Sequence, residues 1–226
     1  MKQLAASAGL RDEFPILVHL DDELLDRLSQ TAMWRRYDAK EDVQNHDATC
    51  DGLMKVKQGR LRVYMQSDEG KEITLYRLYP GDTCVMSASC LLHQMNVDFL
   101  IEAEVETIVI LLPTTYLSYV SQRFPALSEH LNELVRARFS ELTWVIRQIV
   151  FSSMPARIAA FLIGQSLKRA SVTLTLTHEE IANDLGSARE VVSRILKYFQ
   201  EEGLIEQSRK HIRLIDPEGI KRKYLD

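Results

Sequence analysis

Residues 184–197 read DLGSAREVVSRILK. If this stretch is a helix whose Val192, Leu196 and Phe199 face a core, Arg189, Glu190, Ser193 and Arg194 fall on the opposite side, within its first turn and a half. Those residue types suit the edges of base pairs. An arginine fork offers paired donors to the O6 and N7 acceptors of guanine, a glutamate accepts from the N4 amino group of cytosine, and a serine can serve either. Lys197, Arg209 and Lys210 are better matched to phosphates, which position a protein on a duplex without choosing a sequence. Thr177, His178, Ser187 and Ser208 could join them as neutral partners of the backbone. A plainer reading stays open, in which Glu190 is the third residue of a capping box and both arginines are solvated charges.

The elements that would hold these side chains are written in the same region. Thr177 and Glu180 make a T-x-x-E capping box ahead of EEIANDL, and Ser187 with Glu190 has the form of a second one. Between them Gly186 supplies a left-handed turn, while Ile181, Leu185, Val192, Ile195 and Leu196 supply faces that pack two helices together. This is the pattern of a helix-turn-helix, whose second helix enters the major groove by its N-terminal end. VTLTLT precedes the pair as a strand, and GLIEQS and HIRLI follow it, joined by the basic turn Arg209–Lys210. That makes a winged arrangement. Pro155, after SSM, suits the first turn of a helix ARIAAFLIGQSLKRA.

Upstream, LRVYMQ at 61–66, EITLYRL at 72–78 and ETIVILL at 106–112 read as strands, and Gly59, Gly70 and Gly81 recur every eleven residues. Short strands punctuated in this way predict an antiparallel barrel or jelly roll. LDDELLDRLSQTAM at 20–33 predicts an amphipathic helix beside it, and RKYL near the C-terminus reads as solvated. Between Pro125 and Val150, Leu131, Val135, Arg138, Leu142, Val145 and Ile149 fall at alternating intervals of four and three. Such spacing predicts a coiled-coil seam between two copies of the chain, the alternative being a helix lying on its own barrel. The expected organisation is α+β, with a jelly-roll domain at 1–124, a dimerisation helix at 125–153 and a winged helix-turn-helix at 154–226.

The 226 residues are 46% hydrophobic, enough for one large core or two smaller ones, and carry a net charge of -4. Charge is uneven. Residues 1–150 hold 16 Lys+Arg against 22 Asp+Glu, and residues 151–226 hold 12 against 10. No apolar run reaches membrane-spanning or signal-peptide length, so a cytoplasmic protein with no membrane partner is expected. Cys50, Cys84 and Cys90 form no C-x-x-C pair and fit reduced thiols. His19, His46, His130, His178 and His211 are scattered without ligand spacing, and His93 is the one histidine between 52 and 112. A metal-binding barrel enzyme would need several, and no phosphate loop, nucleophile elbow or H-E-x-x-H is present, so the chain is expected not to be an enzyme.

The stretches LTHEEIANDLGSAREVVSRILKYFQEEGLI and DGLMKVKQGRLRVYMQSDEGKEITLYRLYPGD resemble the Crp/Fnr transcription regulators, and the resemblance covers nearly the whole chain. It implies a cyclic-nucleotide-binding-type barrel, a homodimer and a duplex target with two-fold symmetry and TGA-like half-sites. It also implies a small-molecule effector and RNA polymerase as partners. The family's recognition helix carries Glu and Arg four residues apart, matched here by Glu190 and Arg194, with Arg189 and Ser193 as found in separate branches.

In members that bind cyclic AMP, a Gly-Glu pair follows the turn matching Gly81–Asp82, and Arg-Ser or Arg-Thr follows on the next strand. Here those places align with Val85–Met86 and Val97–Asp98, and the second has no arginine. A cyclic phosphate would lack its cation there and Asp98 would repel it, so cyclic AMP is not expected to bind in the usual way. The corresponding effector pocket would be bounded by Val85, Met86, Ser87, Val97, Asp98 and Arg138. The family's iron-sulfur sensor uses an N-terminal Cys cluster, and the first 49 residues contain no Cys. Cys84, Cys90 and His93 leave open a redox, haem or metal sensor, against the alternative of buried structural thiols. The cofactor is therefore left unassigned.

Overall fold

The structure is a computed structural model and describes residues 9–44, 52–84 and 99–225. The chain forms two compact units, one of residues up to Met65 with Leu75–Leu142, the other of Gln66–Thr74 with Thr143 onward.

The first unit opens with α1 (Leu10–Glu13), a 3-10 turn (Pro15–His19) and α2 (Asp22–Thr31). Asp21 caps α2 by accepting from the amide of Leu24 at 2.9 Å. Strands β1 (Met33–Tyr37), β2 (Asp42–Gln44), β3 (Gly52–Gln58), β4 (Leu61–Gln66), β5 (Glu72–Leu78), β6 (Thr83–Cys84), β7 (Leu100–Ala103) and β8 (Thr107–Pro113) follow. They make two four-stranded sheets, in the orders β1-β8-β3-β6 and β2-β7-β4-β5. This is the expected jelly roll. Its core includes Val56, Leu61, Val63, Leu78, Ile101 and Val109, all fully buried. Along β5 burial alternates, with Thr74, Tyr76 and Leu78 inward. In β8 the run Val109–Leu112 is buried on both faces, because α2 and α3 (Thr114–Arg123) pack on the strand's outer side.

Gly59, Gly70 and Gly81 sit at φ of 91°, 78° and 97°, so the eleven-residue rhythm marks turns that need the left-handed region. At Gly59 a Cβ would also come within 2.4 Å of the Glu106 carbonyl. Glu104, whose side chain is 13% exposed, accepts from Arg77 and pairs with Arg60. Burial alone would raise its pKa, but the two guanidinium groups outweigh it and hold the carboxyl below its ordinary range.

Helix α4 (Pro125–Phe151) is the long helix expected from the periodicity. Its apolar residues do not all serve one surface. Leu131, Val135 and Leu142 pack against the core of the barrel, as Leu134 does. The Arg138 guanidinium lies 4.8 Å from the centroid of the Tyr76 ring and donates to Glu141 at 2.7 Å. Four of the six residues read as an intermolecular seam thus also have contacts within their own chain, while remaining partly exposed. Val145 is half-buried and Ile149 is exposed. Phe139, Ile146 and Val150, each one position later in the helix, are 71%, 58% and 62% exposed.

The second unit contains α5 (Met154–Arg169), β9 (Thr173–Thr175), α6 (His178–Leu185), α7 (Arg189–Glu201), β10 (Ile205–Ser208), β11 (His211–Leu214) and α8 (Pro217–Tyr224). Ser153 caps α5, accepting from the Ala156 amide, with Pro155 in the first turn as its fixed φ favours. The three strands order as β10-β11-β9, all antiparallel. Ile158, Leu162, Leu174, Ile181, Val192, Leu196, Phe199 and Ile220 form a separate core. The RKYL segment is only partly solvated, because the Tyr224 ring packs on Phe199 with centroids 4.8 Å apart. Among the described residues no helix is long and apolar enough to cross a membrane.

Candidate nucleic-acid interface

Thr177 and Glu180 form the expected capping box at α6. The Thr177 hydroxyl accepts from the Glu180 amide at 3.1 Å, and the Glu180 carboxylate accepts from the Thr177 amide at 2.6 Å. Gly186 ends the helix at φ 63° and ψ 45°, and the Ser187 amide donates back to the Ala182 carbonyl at 3.0 Å.

The second expected box does not form. Helix α7 starts at Arg189, its N-cap is Ala188, and no side chain caps it. The closing turn of α6 uses Ser187, so the next helix begins one residue later than S-x-x-E requires. Glu190 is therefore not occupied in capping. Its carboxylate, with the side chains of Arg189, Ser193 and Arg194, has no hydrogen bond or ion pair among the described residues. Arg189, Glu190 and Arg194 are exposed and Ser193 is half-buried. On the other face Val192, Leu196 and Phe199 are fully buried. The fold spends the apolar half of α7 on its core and leaves the polar half open at the helix's N-terminal end.

Beside this face lies a cavity of about 260 Å³ walled by the start of α6 and the turn between β10 and β11. It brings together Thr177, His178, Arg189, Ser208, Arg209 and Lys210, six of the residues read as contacts to DNA. Arg209 and Lys210 are exposed, with Lys210 in the left-handed region at φ 63°. Two of the six are already engaged. The Thr177 hydroxyl meets Glu180 at 2.8 Å, and the His178 Nε2 lies 3.0 Å from the Gln207 side-chain oxygen. Lys197 is exposed at the far end of the helix, 3.9 Å from Glu201. Ser187 is half-buried in the turn.

Gln207 and Arg157 went unnoticed in the sequence. Gln207 ties the wing to α6 through His178, and its own amide donates to Gln200 at 3.2 Å. Arg157 is 9% exposed and donates to the Leu185 carbonyl, and burial draws its pKa down. A polar residue on a strand and an arginine near a helix start carry no periodic signal that would single them out.

For the effector pocket, Val85, Met86, Ser87, Val97 and Asp98 lie outside the described residues, as do Cys50, Cys90 and His93. Arg138 is described and is bound to Tyr76 and Glu141. Cys84 is fully buried in the barrel core. Burial, with Cys84 beside it, pushes the Tyr76 phenol well above its ordinary range, against the opposing pull of Arg138. Among the described residues no group of three or more His, Cys, Asp or Glu gathers to hold a metal ion.

Residues 156–223 match the Crp-like helix-turn-helix domain. The chain is similar to the crystal structure of a transcriptional regulator of the Crp/Fnr family from Eubacterium rectale. That likeness has 36% identity and a TM-score of 0.88, and covers 95% of this chain and 100% of that one. Among curated proteins, the chain is 28% identical over 185 residues to the transcriptional regulatory protein Btr of Bordetella pertussis, covering 78% of this chain and 74% of that protein. It is 24% identical over 191 residues to the cAMP-activated global transcriptional regulator Vfr of Pseudomonas aeruginosa, covering 80% and 88%. With its barrel, long helix and winged helix-turn-helix, the chain belongs to the Crp/Fnr family and is a DNA-binding transcription regulator.

Proposed function

We propose that two copies of this chain bind a two-fold symmetric DNA site, each inserting the N-terminal end of α7 into the major groove. Arg189, Glu190, Ser193 and Arg194 read base edges there, while Ser187, Lys197, Ser208, Arg209 and Lys210 hold the backbone on either side, with Thr177 and His178 placing the start of α6 against it. One observation carries this reading: the charged side chains in the first half of α7, Arg189, Glu190 and Arg194, are exposed and without a hydrogen-bond or ion-pair partner among the described residues, on a helix whose opposite face is fully buried. Residues 125–153 join the copies, 1–124 sense, and 154–226 bind. Selection of bound duplexes from a random pool tests the reading. Enrichment of an inverted repeat is expected; enrichment of an asymmetric sequence, or none, contradicts it.

We further propose that an effector in the barrel sets the spacing of the two recognition helices, and that the regulator in turn meets RNA polymerase. An effector can shift that geometry only by as much as it prefers one dimer arrangement over another. The absence of arginine from QMNVDFL supports an effector other than cyclic AMP, since a buried cyclic phosphate needs a cationic partner. Arg138, nearest to such a role on α4, already has Tyr76 and Glu141 as partners and would have to exchange them. Titration calorimetry with cyclic AMP is expected to give no saturable heat, and a saturable isotherm contradicts this part of the reading.

A further inference from the structure

A buried charge away from the DNA-facing surface needs its own account. Arg157 sits in the first turn of α5, four residues beyond Ser153, where the chain leaves α4. It is 9% exposed, and its guanidinium donates to the carbonyl of Leu185, the last residue of α6. The bonds that close α6 run from the Gly186 and Ser187 amides to Ala182, so they leave the Leu185 carbonyl to Arg157. A cation at a helix C-terminus is favourable in itself, and a hydrogen bond from a charged donor in a poorly hydrated place is stronger than a neutral one. The place matters more than the strength. Gly186, Ser187 and Ala188 are all that separates Leu185 from Arg189, so the carbonyl that Arg157 grips belongs to the turn that aims α7. Apolar packing in the core that holds Ile158 of α5 and Ile181 of α6 can slide by fractions of an ångström. A directional bond to one carbonyl oxygen fixes the turn.

We propose that Arg157 is a positioning residue for DNA reading: it locks the turn between α6 and α7 to the start of α5, and so sets the angle at which Arg189 and Glu190 meet the base edges. The proposal rests on the base-reading role of α7. It separates two kinds of affinity. Phosphate contacts tolerate small displacements, whereas paired hydrogen bonds to a base edge do not.

The test compares the full-length wild type with R157M and R157K on a selected symmetric duplex and on a random duplex, with thermal melting of each protein. Methionine keeps the apolar bulk and removes the donor; lysine restores one donor. R157M is expected to lose at least about tenfold on the selected site, with little change on random duplex or in melting temperature, and R157K to recover most of the loss. Should R157M not fold, R157Q, whose donor is too short to reach, replaces it. Unchanged preference for the selected site in R157M overturns the proposal, and so does a parallel fall of both affinities with the melting temperature. If the wild type itself shows no preference between the two duplexes, it is the base-reading role of α7 that fails.

Discussion

Replacing Ile146 and Val150 together by glutamate is expected to turn the protein into a monomer that no longer holds a symmetric site. Both side chains are more than half exposed on α4, and with Phe139 they repeat at seven and four residues, the spacing of a seam between two helices. A dimer would bury each residue twice. At about 1.5–3 kcal/mol for complete burial of such a side chain, and with roughly 0.6 of each still exposed, the four copies contribute on the order of 4–7 kcal/mol to association. The double substitution removes that and sets like charges across the seam, weakening the dimer by about a thousandfold or more. Fold should survive, since neither residue belongs to a core cluster. Sedimentation equilibrium reads the outcome. A variant still dimeric at micromolar concentration, with unchanged affinity for its site, would show that the copies meet elsewhere.

Glu190→Ala is expected to cost about 1–3 kcal/mol at each half-site, and so about 2–6 kcal/mol on a symmetric site, while random duplex is bound nearly as before. Because Ala188 and not Ser187 precedes the helix, and no side chain caps it, the substitution removes no structural bond. Melting temperature should therefore hold. Arg209→Ala and Lys210→Ala supply the contrast: each weakens both duplexes alike and lowers the salt dependence by about one phosphate contact. Fluorescence anisotropy on the two duplexes distinguishes them. An equal loss on both for Glu190→Ala, accompanied by a lower melting temperature, would return Glu190 to a structural role.

Much of this was legible before any coordinates. The Thr177–Glu180 box, the left-handed Gly186 and the buried Val192, Leu196 and Phe199 are local rules applied to local sequence, and all appear as read. So do the turns at Gly59, Gly70 and Gly81. The rest depends on tertiary context. The Ser187–Glu190 box was overridden because the α6 turn took Ser187 first. The stripe from Leu131 to Ile149 has coiled-coil spacing, but spacing cannot say whether a helix faces its own barrel or a second copy. Here Leu131, Val135 and Leu142 serve the barrel, and the exposed stripe lies one residue further on. Helices α3 and α8 carry little periodic signal because TTYLSYVSQR and PEGIKRKY are mostly polar, α3 burying two side chains, Leu117 and Val120, and α8 one, Ile220.

The most direct test of the central claim, that two copies of α7 read opposite halves of one site, is hydroxyl-radical footprinting of the full-length protein on its selected duplex. Two protected blocks related by a two-fold axis and about one helical turn, 34 Å, apart are expected, with both fading together in Glu190→Ala. A single block, or uniform protection unaffected by that substitution, would contradict the account.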